Sequence, residues 1–300
     1  MSAPNILLLG AVGLFWLSGI ASGEQAVTFA HYNVENYLEM NRREGGEAVL
    51  SPKPEREKAT LIRIIKDIHP DILGVAEMGP LDQFDEFQQR LKDSGLEFPF
   101  TEYVRGADQE RHLALLSRFP IVERHSEKDP FFDLNGQKEP VERGFLDVTI
   151  AVNPAFRLRV VGAHLKSKLP APSGEALLRR NEARLLRRHI DEVLSKDPNQ
   201  DLLVYGDLND TKDQPAIQEI LGPRQGPNRL QEIPLADAQG DRWTYYRRLN
   251  DTYDRIDYVL ADKVIWPQID QSQSYLYRSP DWYSASDHRP VVVVIKAKSP

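Results

Sequence analysis

Apolar and polar positions along the chain follow two rhythms. Short runs of aliphatic and β-branched residues, bounded by polar or turn-forming ones, predict strands near residues 26–33, 71–76, 112–117, 144–152, 157–163, 201–206, 255–260 and 290–296. Elsewhere apolar residues recur at helical spacing, which predicts helices near 56–68, 81–93, 174–195 and 213–220. In PEREKATLIRIIKDIHP, Leu61, Ile64, Ile65 and Ile68 share one face, and Pro54 and Pro70 punctuate the ends. Early strand–helix–strand units give way to successive strands joined by loops too short for a helix. That order predicts an α/β sandwich of mixed sheets covered by helices, not a simple doubly wound sheet.

The first 23 residues read as an address. Ile6 to Gly23 carries no charge, and Ala21-Ser22-Gly23 before Glu24 has the small-residue pattern of a signal-peptidase site. No Lys or Arg precedes Ile6, and the stretch is at the lower limit for spanning a bilayer, so an uncleaved anchor is the competing reading. Cleavage would leave residues 24–300 as a single domain working outside the cytoplasm, periplasmic or secreted. No internal repeat or long linker divides it.

Composition narrows the chemistry. The chain of 300 residues has 38 Lys+Arg against 45 Asp+Glu, a net charge of −7, and no cysteine. A strongly basic nucleic-acid-binding domain is excluded, although a local cationic groove or a bound cation can still receive a polyanion. Disulfides, thiolate metal sites and cysteine nucleophiles are excluded outright. A metal would sit on oxygen or imidazole ligands, which favours Mg²⁺, with Mn²⁺ or Ca²⁺ as alternatives and a His/carboxylate zinc site still open.

Polar residues collect where the apolar strands end. VTFAHY runs into Asn33-Val34-Glu35, DILGVA into Glu77, LRVVGA into His164, and DLLVYG into Asp207-Leu208-Asn209. Asp257 lies in RIDYVL, and Ser286-Asp287-His288 precedes PVVVVIKA. Ligands of α/β folds gather at strand ends. Singly, each residue reads more simply as a solvated terminus, a turn or a core histidine; together they can hold a hard cation and leave a His and an Asp for proton transfer.

The stretches HYNVENY, DILGVAEM, HLALLSRFPIV, GAHLKSK, YGDLND, RIDYVL and SDHRPV, over roughly residues 27–297, resemble the endonuclease/exonuclease/phosphatase superfamily. This group includes deoxyribonuclease I, apurinic endonucleases, neutral sphingomyelinases and inositol polyphosphate 5-phosphatases. The resemblance implies two mixed sheets packed face to face with helices outside. It implies Glu77 as a direct metal ligand, with Asn33 and Asp287 also at the metal and Glu35 in its outer sphere. It implies Asp207 as the group that orients or deprotonates water, aided by Asn209, and His288 as the phosphoryl-binding residue with Asp257 as its carboxylate partner. His164 would contact the phosphate or assist the leaving group. No member of the set is missing, which argues against a silent binding protein on the same scaffold.

The substrate expectation is nucleic acid, DNA or RNA, with a phospholipid headgroup or a small phosphate ester as the alternative. Lipid-directed relatives tend to carry an added exposed apolar hairpin or a membrane domain, and neither is evident in this sequence. Lys166, Trp282 and Tyr283 are the candidate substrate contacts, the aromatic pair because SPDWYSAS stands just before Asp287-His288. Arg180, Arg184, Arg187 and Arg188 fall opposite the apolar face of their helix, and a solvated, ion-paired face is preferred there over a polyanion-docking stripe. RWTYYRR, residues 242–248, is read as an aromatic strand with exposed arginines rather than a stacking platform.

Overall fold

A computed structural model describes residues 25–299. The export segment expected over residues 1–23 lies outside the described residues. β1 (Gln25–Tyr37) leads into a hairpin of β2 (Met40–Glu44) and β3 (Glu47–Ser51), followed by α1 (Glu55–Ile68), β4 (Ile72–Met78) and α2 (Leu81–Asp93). Next come β5 (Phe100–Val104), β6 (His112–Ser117), β7 (Ile121–Arg124) and the hairpin of β8 (Phe131–Leu134) and β9 (Gln137–Pro140). The long pair β10 (Phe145–Asn153) and β11 (Phe156–His164) precedes α3 (Glu175–Lys196), β12 (Asp201–Asp207) and α4 (Pro215–Leu221). The chain closes with β13 (Gln231–Glu232), the hairpin of β14 (Tyr245–Arg247) and β15 (Thr252–Asp254), then β16 (Asp257–Ala261), β17 (Ile269–Leu276) and β18 (Val291–Ala297).

Two six-stranded sheets result, ordered β17-β18-β1-β4-β6-β5 and β13-β16-β12-β11-β10-β7. Each has one parallel pair at its centre, β1 with β4 and β11 with β12, and antiparallel neighbours on both sides. A parallel pair needs a long crossover, and α1 and α3 supply them. The inner faces of both sheets share one core, including Phe29, Ile72, Leu115, Val148, Val160, Tyr205 and Val293. The outer face of the first sheet packs on α1 and α2 through Leu61, Ile65, Phe84 and Phe87. The outer face of the second packs on α3 and α4 through Leu186, Ile190, Ile217 and Ile220. The architecture is the four-layer α/β sandwich that the pattern and the resemblance predict.

All eight strands and four helices expected from periodicity are present. Within the two six-stranded sheets, the four strands that periodicity missed, β5, β7, β13 and β17, are the four edges. An edge strand keeps one side in water, so it needs no continuous apolar run. Of RWTYYRR, only Tyr245–Arg247 is strand. Of the arginine stripe of α3, Arg180 and Arg184 are ion-paired with Glu219 as expected, but Arg187 is buried rather than on the solvated face and caps α4 by donating to the Ile220 and Leu221 carbonyls.

α3 is pinned to β10 by a charged cluster. His189 Nε2 meets the buried Asp147 carboxylate at 2.7 Å, His189 Nδ1 meets Glu127 at 2.9 Å, and Arg159 donates twice to Asp147 at 2.8 and 2.6 Å. Burial alone would lower the imidazole, but the hydrogen bonds and charges of Asp147 and Glu127 outweigh it and push it up from 6.5 to about 9. A raised folded value means that the stabilisation is complete below pH 6.5 and is lost as pH rises through 9. His189→Gln should therefore be about 2–3 kcal/mol less stable than wild type near pH 6. Urea titrations should find that gap narrowing as pH climbs through 9; a gap constant across this window would leave only a packing role.

Candidate active site

The central parallel strands deliver the site. Asn33 ends the paired part of β1, Glu77 lies at the end of β4, and His164 and Asp207 face each other in register at the ends of β11 and β12. Asp257 opens β16 directly across from Asp207. His288 precedes β18, the other neighbour of β1. Residues scattered from 33 to 288 thus meet at one mouth of the sandwich because their strands end there.

The backbone is bent to make this happen. Seven non-glycine residues among those described have positive φ, and four of them, Glu35 (46°), Asn36 (53°), Glu77 (60°) and Asn209 (53°), lie around this cleft. Left-handed conformations in non-glycine residues persist where surrounding contacts over-determine them, and they cluster at functional sites. Gly206, with φ 151°, precedes Asp207, and a Cβ there would collide with the Ala163 carbonyl. The glycine of YGDLND therefore lets β12 approach β11 closely just before Asp207.

Hydrogen bonds fix most of these side chains. Asn33 Nδ2 donates to Glu77 Oε1 at 3.1 Å and to Asp207 Oδ2 at 3.0 Å, so Asn33 enters as a donor that sets the spacing of two carboxylates. Glu77 Oε2 accepts the Asn36 backbone N–H at 2.9 Å. The Asn209 backbone N–H donates to Asp207 Oδ1 at 3.0 Å, and its side-chain amide donates to the Leu165 carbonyl. His288 Nδ1 donates to Asp257 Oδ2 at 2.8 Å, which leaves His288 Nε2 3.7 Å from Asp207 Oδ2 and 3.8 Å from Asp287 Oδ1. His164 Nε2 stands 3.6 Å from Asp207 and 3.9 Å from Glu77. The Asp287 N–H donates to Glu35 Oε2 at 3.1 Å, and Lys53, almost wholly buried, donates to the Glu35 carbonyl at 3.0 Å.

The two histidines are driven apart electrostatically. Burial opposes charge on His288, yet the carboxylates of Asp257, Asp207 and Asp287 outweigh it and hold the imidazole well above its ordinary value. His164 goes the other way: burial, reinforced by the Arg143 and His288 charges, pushes it well below. One imidazole is cationic and the other neutral. Burial pushes Asp207 up to about 7 against the pull of His288, with Asp257 and Glu77 adding repulsion. Asp287 rises to about 7 for the same reasons, with Glu35 and Glu77 as its repelling neighbours. Asp257 is the exception: burial is overcome by His288 and His31, which keep it far below the usual carboxylate range.

This donor set fits a hard divalent cation. Glu77, His164 and Asp207 each offer one ligand atom, all within 4.8 Å of one another. Crowded, partly buried carboxylates whose ionisation is disfavoured by one another are groups that a cation would stabilise. The ligand atoms are oxygen and imidazole nitrogen, as the cysteine-free sequence requires.

The cleft has two lobes that share Glu77, His164, Ser167 and Leu169. One, of about 210 Å³, is walled by Lys168, Tyr245 and Arg247. The other, of about 600 Å³, is walled by Arg111, Arg143 and Lys166. Lys166 therefore lines the cleft. Trp282 and Tyr283 sit one layer back: Trp282 packs 5.2 Å from Trp243, Tyr283 packs 5.3 Å from Tyr246, and both brace the β14–β15 hairpin. The aromatic residue on the wall is Tyr245, whose ring lies 4.8 Å from His288. Tyr245 and Arg247 belong to RWTYYRR, where the aromatic–arginine mixture was the available signal. Arg111, Arg143 and Lys168 carried none, being basic residues without a spacing pattern. At the tip of the same hairpin Leu249 is 92% exposed, flanked by Arg248, Asn250 and Asp251, and Tyr253 is half exposed while packing on Trp243 and Tyr246.

The model of the endonuclease/exonuclease/phosphatase family matches residues 30–288. The chain belongs to this family of metal-dependent hydrolases, and it is an enzyme acting on phosphoric ester bonds. No curated protein matches it in sequence. Among solved structures, an endonuclease/exonuclease/phosphatase family protein from Leptotrichia buccalis is similar at TM-score 0.62 and 16% identity, over 91% of this chain and 99% of that one. Truncated TDP2 from Caenorhabditis elegans is similar at TM-score 0.59 and 15% identity, over 91% and 98%. Sphingomyelinase C from Streptomyces griseocarneus is similar at TM-score 0.59 and 16% identity, over 90% and 99%. At such identities the likeness is one of fold.

Removing one ligand should show in binding itself. Mn²⁺ titrated into metal-free protein by calorimetry should bind, and Glu77→Gln should weaken it by at least about tenfold. Unchanged affinity would take Glu77 out of the metal centre.

Proposed function

We propose that this protein is an exported phosphodiesterase that hydrolyses nucleic acid, with Mg²⁺ or Mn²⁺ at Glu77 and residues 1–23 as its export signal. The observation that carries the reading is the two-lobed cleft. Glu77 and His164 stand where the lobes meet, so a phosphate there has room for an ester substituent on each side. A monoester would leave one lobe without an occupant. Basic side chains on both walls suit a polyanion running through, and Tyr245 beside His288 offers a ring face to a base.

The residues divide the work. Asp207 Oδ2 accepts a proton from the attacking water, and Asn33 and the Asn209 N–H hold the carboxylate in place. The new phosphorus–oxygen bond forms opposite the ester oxygen that departs. Cationic His288, oriented by Asp257, donates from Nε2 to the phosphoryl oxygens, where negative charge develops. Neutral His164 lies against the same oxygens and the departing group. A divalent cation at Glu77 supplies further neutralisation of the phosphoryl group.

One observation favours a second reading, a phospholipid headgroup: exposed Leu249 and Tyr253 could meet a lipid surface beside the cleft. A substrate panel separates the two. Plasmid DNA, RNA, bis-p-nitrophenyl phosphate and sphingomyelin vesicles are each incubated with the protein in Mn²⁺ or EDTA. The nuclease reading expects metal-dependent cleavage of DNA or RNA; cleavage confined to vesicles overturns it in favour of lipid. Asp207→Asn and His288→Ala should each lower turnover at least ~10²-fold on whichever diester is cleaved. The double variant should lose far less than the product of the two losses, since both act in one step. Near-wild-type turnover in either single variant would remove that residue from the reaction.

A further inference from the structure

His31 is absent from the set of residues expected at the site, yet it is connected to it. It lies on β1 two residues before Asn33, is 1% exposed, and points into the layer between the sheets. There its Nδ1 meets the Gly74 carbonyl at 3.2 Å, and its Nε2 faces Asp257 Oδ1 at 3.3 Å. Nε2 and Oδ1 are both buried without a hydrogen-bond partner among the described residues, so the two atoms face each other at close range with their bonding capacity unspent. The other oxygen of the same carboxylate accepts from His288 Nδ1 at 2.8 Å. One carboxylate is thus held between two imidazoles, one from each direction.

The surroundings keep this link in place. The His31 ring packs 5.1 Å from Tyr205, which is fully buried on β12 of the opposite sheet. Tyr205 needs Gly74 to be a glycine, because a Cβ there would overlap its ring. The backbone N–H of Asp257 donates to Thr244 Oγ1 at 3.0 Å, which fixes the main chain but not the carboxylate plane. The rotation of that plane about the Asp257 side chain is left to its two imidazole partners. A neutral imidazole has one N–H and both Gly74 O and Asp257 Oδ1 are acceptors, so His31 donates to Asp257 through Nε2 either in place of the Gly74 contact or as the doubly protonated ring.

We propose that His31 is a positioning residue: by donating to Asp257 Oδ1 from beneath the cleft, it sets the carboxylate so that Oδ2 aligns His288 for the phosphoryl group. The proposal rests on the phosphodiesterase reading for its catalytic consequence and on the 3.3 Å approach of Nε2 to Oδ1 for the hydrogen bond it infers. It ties the first sheet, through β1, to the His288–Asp257 pair that otherwise belongs to the second sheet and the loop before β18. Histidines that orient a catalytic or metal-binding partner are commonly worth about 10–100-fold in activity.

Two isosteres separate positioning from packing. His31→Asn keeps a donor near the Nδ1 position and removes the one toward Asp257. His31→Gln places a donor near Nε2. The first readout is the proton spectrum of the metal-free protein, in which the His288 Nδ1–H bonded to a carboxylate should resonate far downfield; its loss in Asp257→Asn assigns it. That resonance should shift or broaden in His31→Asn and remain near its wild-type position in His31→Gln. The second readout is steady-state hydrolysis of bis-p-nitrophenyl phosphate with Mn²⁺, where His31→Asn should lose about tenfold or more in kcat with little change in KM, and His31→Gln should recover most of it. A resonance identical in both variants, with only the melting temperature lowered, overturns the proposal and makes His31 a packing residue. If the wild type fails to cleave the diester, the phosphodiesterase reading falls while the resonance still decides the hydrogen bond. If His31→Asn does not fold, a displaced resonance in His31→Gln, or equal kcat losses in His31→Gln and His31→Phe, overturns the proposal by itself.

Discussion

The pairing of His288 with Asp257 is the interaction on which the site turns. Both side chains are almost wholly buried, and an isolated charge in such a place is costly. Each makes the other tolerable: Asp257 keeps the imidazole protonated, and the imidazole keeps the carboxylate ionised. Once that pair is fixed, the states of the neighbours follow. Charge on His288 makes a second cation at His164 less favourable, adding to the effect of burial and Arg143, and Asp207 lies 3.7 Å from His288 Nε2. The remaining carboxylates then crowd toward Glu77, where a divalent ion has its natural place.

The fold supplies this pair through strand order rather than through any local motif. Asp257 comes from a strand beside β12, and His288 from the loop before a strand beside β1. They meet only because both sheets put a parallel pair at the centre and flank it with an antiparallel strand arriving from the opposite end. The carboxyl ends of four central strands and the starts of two flanking strands therefore share one edge of the sandwich. The left-handed backbone at Glu35, Asn36, Glu77 and Asn209 is what turning sharply at that edge requires.

How much of this could be read in the sequence depended on burial. Central strands, apolar on both faces, announced themselves as continuous runs, and the polar residue ending each run marked the cleft. The convergence of Asn33, Glu77, His164, Asp207, Asp257 and His288 at one cleft was legible for that reason. Edge strands such as β17, IDQSQSYL, carry too much polar sequence to register, because one flank remains in solvent. The cleft walls were harder still: Arg111, Arg143 and Lys168 come from separate loops, and nothing local distinguishes them from other surface cations. Trp282 and Tyr283 were noticed for being aromatic in a polar loop, but an aromatic residue near a site can equally serve as the support for a hairpin, and here Trp243 and Tyr246 receive them.

His31 shows a different limit. In HYNVENY it precedes the functional asparagine by two residues, so strand alternation puts it on the same face of β1. That face points inward at residue 31 and opens toward the cleft at residue 33, as the strand passes from the core to the mouth of the sandwich. A histidine in the apolar part of a strand reads as a core residue with a satisfied polar tip, but here only Nδ1 meets the Gly74 carbonyl and Nε2 is left facing Asp257. What sequence cannot supply is the identity of the second partner, because Asp257 is more than two hundred residues away and on the other sheet. A polar side chain buried between two sheets has few acceptors within reach. When one of them is the carboxylate that orients the His288 imidazole, packing and site geometry become a single requirement, and the precision of the cleft is inherited from the rigidity of the core beneath it.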